Sequence, residues 1–330
     1  MEKVNLTRIE NTNILILLKT CQKMGIKYQL LDWDKYKFKL VKDCKEHIIW
    51  EKSMGLNSSL AISISRDKHK TYQILKKANL PVLPQIEVKN LAQYQEKGHL
   101  IPFPQVLKPT LGEKGQNIYL NIKNQKQGEE TLIELLKKTQ NVVVEPYFKG
   151  LDYRFIVLAN KIIGLAQRQP PVITSDGKHN IRKLIKLENR QRFNLNKKVG
   201  RRMLNRILVW QRVKWYLKQQ GLSFDDILLK DTKITLYPIP NFSTGGTVET
   251  VSLKNIHPSF IRLALKISQT IGLTLIGIDM LIKDINKPST RENCAIIEVN
   301  SDPGLRLHDW PNAGEPQHVT EKILNFIFKS

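Results

Sequence analysis

Asp279, Glu298 and Asn300 are the side chains with which this sequence could do its most specific chemistry. Glu298 and Asn300 stand two apart in Cys294-Ala-Ile-Ile-Glu-Val-Asn300, an apolar run with the length and Ile/Val content of a buried strand. Side chains two apart on a strand share a face, so Glu298 and Asn300 would project together while Ile297 and Val299 face the other way. Asp279 lies in Leu275-Ile-Gly-Ile-Asp-Met-Leu-Ile282, a second such run joined to the first by a polar hairpin loop. A carboxylate inside a buried strand is costly without compensation. Two carboxylates and an amide oxygen on paired strands make a hard, all-oxygen site suited to Mg²⁺, which also takes phosphate oxygens and water. A strand-end polar residue and a turn cap would account for each residue taken singly.

Groups able to hold an anion recur along the chain. Lys68 falls in the first turn of a helix that Asp67 caps and Pro81 stops, where it opposes the helix dipole and a bound anion would compensate it. Gln105 to Tyr119 reads as strand, glycine loop and strand. Gly112 and Gly115 let that loop close over phosphates, and Lys108 precedes them. No Gly-Lys-Ser/Thr follows, so it is not a Walker A loop, and a plain hairpin explains it equally well. Asn141 to Leu158 reads as two strands about Pro146 and Gly150. The first ends in Glu145, where backbone groups could meet an adenine edge, and Asp152 is placed to accept from ribose hydroxyls. The strand after it delivers Arg168. Asn241-Phe-Ser-Thr-Gly-Gly-Thr247 has the composition of an anion-holding loop.

The remaining elements must position these groups. Residues 1 to 64 read as a small α/β piece: a helix from Asn11 to Met24, a strand at Lys27 to Leu31, and a hairpin around Lys42-Asp-Cys-Lys45. Glu129 to Lys138 reads as an amphipathic helix, residues 182 to 230 as mostly helical, and Pro258 to Gly272 as a helix returning to the Asp279 strand.

Composition narrows the functional class. Hydrophobic content of 41% and charged content of 25% suit a soluble globular protein, and 330 residues allow two or three subdomains. The apolar run at residues 14–18 is too short to span a bilayer and Glu2 precedes it, so neither a membrane partner nor a signal peptide is expected. Three widely spaced cysteines without a C-x-x-C pair point away from disulfides and zinc and towards the reducing cytoplasm. A net charge of +23 fits a lysine-rich surface or an enzyme drawing in anionic substrates. Little aromatic interleaving and no nucleic-acid motif rank nucleic acid below both. Self-association is left open.

With these pieces in order, the sequence resembles the ATP-grasp carboxylate–amine ligases. It is most similar to the ATP-grasp region of the cyanophycin synthetases, with the bifunctional glutathione-synthesising enzymes a near second. The resemblance runs from about Ser65 to Phe328. It is carried by Val-Leu-Lys108-Pro with the glycine loop, Val-Glu145-Pro-Tyr-Phe-Lys-Gly150-Leu-Asp152-Tyr-Arg154, and Arg168-Gln-Pro-Pro through Asp176-Gly-Lys-His179. Gln220 to Asp225, Asn241 to Thr247, Gly277-Ile-Asp279, and Glu298-Val-Asn-Ser-Asp-Pro-Gly-Leu-Arg306-Leu-His308 complete it.

The resemblance implies an α+β (α/β) ATP-grasp fold, with nucleotide held between two antiparallel-sheet subdomains. The N-terminal piece would end at 64 and the ATP-grasp domain span 65–330, divided into a nucleotide lid at about 100–150 and a catalytic part at 151–330. It implies ATP as substrate and Mg²⁺ as cofactor, two ions with Mn²⁺ an alternative, on Asp279, Glu298 and Asn300. Lys68 and Lys108 match lysines on ATP phosphates, under the loop of Gly112 and Gly115. Glu145 matches the adenine side and Asp152 the ribose. Arg154, Arg168, Asn241, Ser243, Gly245 and Gly246 match positions around the reacting carboxyl and transferred phosphate, with Arg154, Arg306 and His308 towards the substrate.

The implied reaction is ATP-dependent amide formation through an acylphosphate, extending a small anionic amino acid or peptide and releasing ADP and phosphate. A glutathione-synthetase-like ligase, or a non-catalytic module binding ATP or nucleic acid, are the alternatives. Asn117 stands where the family's loop usually has a further glycine. A chain of 330 residues leaves no room for the amino-terminal and Mur-ligase-like domains of the cyanophycin enzymes, so one bond or an unbranched chain is the expected product.

Overall fold

In the computed structural model the described residues are 4–6, 9–51, 53–110, 117–200, 203–209 and 211–329. Helix α1 (Thr12–Lys23) starts at Asn11, whose side chain accepts from the N–H groups of Asn13 and Ile14. Strands β1 (Lys27–Asp32), β2 (Lys37–Lys42) and β3 (Lys45–Ile49) form an antiparallel meander. The expected hairpin turns on Asp43 and Cys44, both at positive φ, as a two-residue type I′ turn requires. Helices α2 (Ser59–Arg66) and α3 (Lys68–Lys77) meet at Asp67, which caps α3 by accepting from the Lys70 N–H at 3.0 Å.

The smaller sheet uses β4 (Ile86–Val88), β5 (Gln105–Pro109), β6 (Tyr119–Ile122) and β7 (Val142–Pro146), in the order β4-β7-β5-β6. Helices α4 (Leu91–Lys97) and α5 (Gln125–Leu136) cover it, and Val88, Tyr94, Leu107, Leu132 and Val144 share its core. Its edge strand therefore begins at Ile86, well before residue 100.

The next elements are β8 (Leu151–Leu158), β9 (Lys161–Gln169), β10 (Val172–Thr174), α6 (Ile181–Val199), α7 (Gln211–Gln219), β11 (Lys233–Thr235) and β12 (Thr247–Thr250). After them come α8 (Pro258–Ile271), β13 (Leu275–Ile282), β14 (Cys294–Asn300), α9 (Arg306–Asp309) and α10 (Val319–Lys329). The larger sheet runs β12-β9-β8-β13-β14, antiparallel throughout. One face packs on α8 through Phe155, Ile278, Met280, Phe260 and Ile267. At one end of the other face, Ile156 and Leu275 share a core with Leu17, Phe38 and Leu324. Helix α1 and the β1–β3 meander are thus fused to the larger sheet by a common interior.

The helix expected over 182–230 is divided between α6 and α7, with a non-helical stretch between them. Gly200 and Gly221 take left-handed φ of 67° and 72° just beyond α6 and α7, which stops each helix. Described residues 203–209 form an arch, because α6 side chains supply its hydrogen-bond partners. Asn196 Oδ1 accepts from the Met203 and Leu204 N–H groups, and Asn189 Oδ1 from that of Ile207. Helix α7 leans on the smaller sheet: Trp215 meets Tyr119 edge-on at 5.4 Å, Tyr216 meets Trp215 and Tyr237, and Tyr216 Oη accepts from the Leu120 N–H.

Candidate active site

Strand register gathers six of the expected residues on one face of the larger sheet. Asp279 lies opposite Glu298 on β14 and opposite Arg154 on β8, while Asp152 faces Arg168 and Gly277 faces Asn300. Opposed residues point the same way and alternate residues share a face, so all six form one polar corner. Gly277 carries no side chain where Pro303 crosses above it; a Cβ there would lie 2.8 Å from that ring. Strand β14 departs from even alternation. Asp279 and Met280 pair with Glu298 and Ile296, leaving Ile297 as a bulge residue. Ile297 is 37% exposed instead of facing the core, and Ile296 and Val299 take the core positions.

The corner is closed by its own charges. Arg154 forks onto Asp279, Nε to Oδ1 and Nη2 to Oδ2, each at 2.6 Å. Arg168 forks onto Asp152 at 2.6 and 2.9 Å and gives a further bond from Nη2 to Asp279 Oδ2 at 3.0 Å. Burial works to raise Asp279, but the two guanidiniums override it and hold the carboxyl down at about 2. Burial raises Asp152 against the pull of Arg168. Asp152 thus has both oxygens on an arginine instead of standing open to a ribose.

Two lysines border the adjoining cleft, a cavity of about 250 Å³ lined by α3, β5, β7 and β14. Lys68 lies 3.6 Å from Glu298, and Lys108 lies 2.7 Å from Glu145. Glu298 therefore belongs to both corner and cleft. Gly112 and Gly115 fall outside the described residues.

The 241–246 loop is drawn inward on itself. Asn241 O accepts from the N–H groups of Thr244 and Gly246, Phe242 O from that of Gly245, and Asn241 Oδ1 from the N–H and hydroxyl of Ser243. The amides of Gly245 and Gly246 are consumed by these turns, so the loop as it stands is no ready oxyanion cradle. Arg192, which the sequence reading passed over, anchors it. This buried guanidinium bonds Gly245 O at 2.7 Å, Asn205 O at 2.9 Å and Glu188 at 2.7 Å. Its only sequence signal was a basic residue on the buried face of an amphipathic helix.

Arg306 and His308 sit deeper than substrate-facing residues would. The Arg306 guanidinium stacks 3.7 Å above Phe242 and bonds Met203 O, tying arch to loop. His308 is fully buried beside Gly164, and Nδ1 bonds Gln317 Oε1. That oxygen also accepts from the Leu165 N–H, while the Gln317 amide donates to Leu165 O and Val251 O. His308 Nδ1 must therefore carry the proton. Burial pushes its pKa down to about 4, leaving a neutral ring unsuited to take a proton from an amine at neutral pH.

Comparisons with known proteins show what the chain is similar to. A model of the RimK-like ATP-grasp domain matches residues 240–312, the stretch that holds the 241–246 loop, Asp279, Glu298 and Asn300. The bifunctional glutathione synthetase of Pasteurella multocida superposes with a TM-score of 0.69 at 25% identity, over 97% of this chain and 44% of that one. This chain has the ATP-grasp fold. A cyanophycin synthetase of Synechocystis is 31% identical over 275 residues, 82% of this ATP-grasp chain and 31% of the relative. A glutathione biosynthesis bifunctional protein of Clostridium perfringens is 27% identical over 322 residues, 96% of this chain and 41% of the relative. The chain thus spans less than half the length of each of these relatives. Among the described residues no helix is long and apolar enough to cross a membrane.

Proposed function

We propose that this chain is an ATP-dependent carboxylate–amine ligase that extends an acidic amino acid or peptide through an acylphosphate, in the manner of cyanophycin-type synthesis. The observation that carries the reading is the single sheet face on which Asp279, Glu298, Asn300, Arg154 and Arg168 meet beside a cleft bordered by Lys68 and Lys108. The donor set suits a hard divalent cation. Among the described residues no three His, Cys, Asp or Glu side chains cluster as a cation cage; the site would be two carboxylates and an amide. The Asn300 Nδ2 is buried without a partner, so no bond holds that amide against turning its oxygen to a cation. Mg²⁺ held there would neutralise and align the phosphates.

The rest falls to the side chains. A carboxylate resists an amine because oxide is too poor a leaving group. Transfer of the γ-phosphoryl group to a carboxylate oxygen releases ADP. The amine then adds to the carbonyl, phosphate departs with the bonding pair, and the proton lost by the nitrogen ends on that phosphate. Lys68 and Lys108 meet phosphate charge, and Arg154 and Arg168 are the forked donors that match a carboxylate. The net charge of +23 favours encounter with anionic substrates.

A glutathione-synthetase-like activity is the second reading, favoured by the match that extends over 96% of this chain, the N-terminal piece included. Incubation of the chain with ATP and Mg²⁺, with acidic peptides or with glycine and a dipeptide, separates the two. ADP and phosphate are expected; AMP as the sole nucleotide product would overturn both. Glu298→Gln should weaken metal affinity, read as the Mg²⁺ concentration that gives half-maximal ADP release, by at least the roughly 10–100-fold that even outer-shell changes cost. Glu298 is half-exposed, so denaturant melts of that variant should stay within about 1 kcal/mol of wild type.

A further inference from the structure

Asp279 is 3% exposed, and its two oxygens already accept three hydrogen bonds, two from Arg154 and one from Arg168. The corner and its neighbour are also charge-balanced: Arg154, Arg168 and Lys68 stand against Asp279, Asp152 and Glu298. A divalent cation arriving alone would have to displace a forked guanidinium and would leave two excess positive charges in a buried place, which is strongly unfavourable. An oxyanion arriving with it restores the balance and gives the displaced arginine a new partner of matching shape.

We infer that Arg154 and Arg168 gate the cation site: they withhold Asp279 until a phosphate or carboxylate oxyanion draws them off, so that cation and anion bind as a linked pair. This rests on Asp279 being a cation ligand. Linkage makes the effect reciprocal: the cation, by taking Asp279, releases the arginines and tightens anion binding by the same factor. The corner thus has two arrangements, arginines on Asp279 or arginines on the oxyanion, and ligands decide between them. Lys108 is not part of this exchange, because its partner is Glu145.

The test is Mn²⁺ binding to the full chain, followed by the Mn²⁺ paramagnetic resonance signal, without added anion and with either the β,γ-imido analogue of ATP or aspartyl-aspartate. Wild type should bind Mn²⁺ weakly alone and about tenfold or more tightly with whichever anion supplies the oxyanion. Arg154→Gln should bind Mn²⁺ alone about tenfold more tightly than wild type and show a smaller gain from the anion. Arg168→Gln, which removes one bond of the three, should move the same way by less and covers the case in which Arg154→Gln does not fold. Lys76→Gln removes a positive charge from the lining of the same cleft without touching Asp279, and should leave Mn²⁺ binding within about twofold. Equal gains in the lysine and arginine variants would reduce the effect to general electrostatics and overturn the gate. Unchanged Mn²⁺ affinity in both arginine variants would also overturn it. The anion-free arms need neither nucleotide binding nor turnover, so they decide the gate even if the ligase reading fails.

Discussion

Replacing Asp279 by Asn should cost about 3–5 kcal/mol of folding stability, even though the change keeps the shape of the side chain. Were Asp279 only a ligand waiting for a metal, the variant would lose turnover and keep its fold. The structure makes Asp279 the shared counterion of two buried guanidiniums, at 2.6 and 3.0 Å. An amide oxygen can accept one of their bonds but cancels neither charge, and an unbalanced buried charge dominates the cost. Urea denaturation of the metal-free chain measures the loss. The double variant Arg154→Met with Asp279→Asn should recover part of it, since Arg168 keeps Asp152. A single variant as stable as wild type would mean that the arginines do not depend on Asp279.

Acid should expose His308. Its folded-state pKa is pushed down from 6.5 to about 4 by burial, so the unfolded chain takes up the proton first. Stability from this group is complete above about pH 6.5, is lost as pH falls towards 4, and changes no further below. The shift corresponds to about 3 kcal/mol across that window. Carboxylates titrate near its lower end, so the comparison is with His308→Asn, which can still donate towards Gln317 and cannot be protonated. The variant should be less stable at pH 7 and should show a stability profile flatter by about 3 kcal/mol between pH 7 and 4. Parallel profiles for the two proteins would remove His308 as the acid-sensitive group.

What the sequence made legible was local. The hairpin at Asp43 and Cys44, the cap at Asp67, the stop at Gly272 and the apolar runs of β13 and β14 each rest on neighbours in the chain. The face shared by Glu298 and Asn300 followed from strand period alone. The bulge at Ile297 did not, because a slipped pairing leaves the composition of a strand unchanged. Strand β4, three residues long, carries too little pattern to stand out, and the 203–209 arch takes its hydrogen bonds from α6 side chains that no local rule connects to it. The largest gap concerned partners. Asp152, Asp279, Arg154 and Arg168 were all singled out, each for an external ligand, yet they find one another first. Only the order of strands across the sheet shows that they are close enough to do so.

The edge-on stack of Tyr119, Trp215, Tyr216 and Tyr237 has a mechanical meaning. Each such aromatic pair adds about 0.5–1.5 kcal/mol beyond burial, and Tyr216 also holds the backbone of β6 at Leu120. Three contacts in series make a strut from the smaller sheet into α7 and the segment leading to the 241–246 loop. Swinging the smaller sheet over the cleft would therefore drag that strut with it or break it. Any closing of the cleft over a nucleotide would thus reshape the loop beside it, as a door whose crossbar is bolted to the far wall cannot swing without pulling on that bolt.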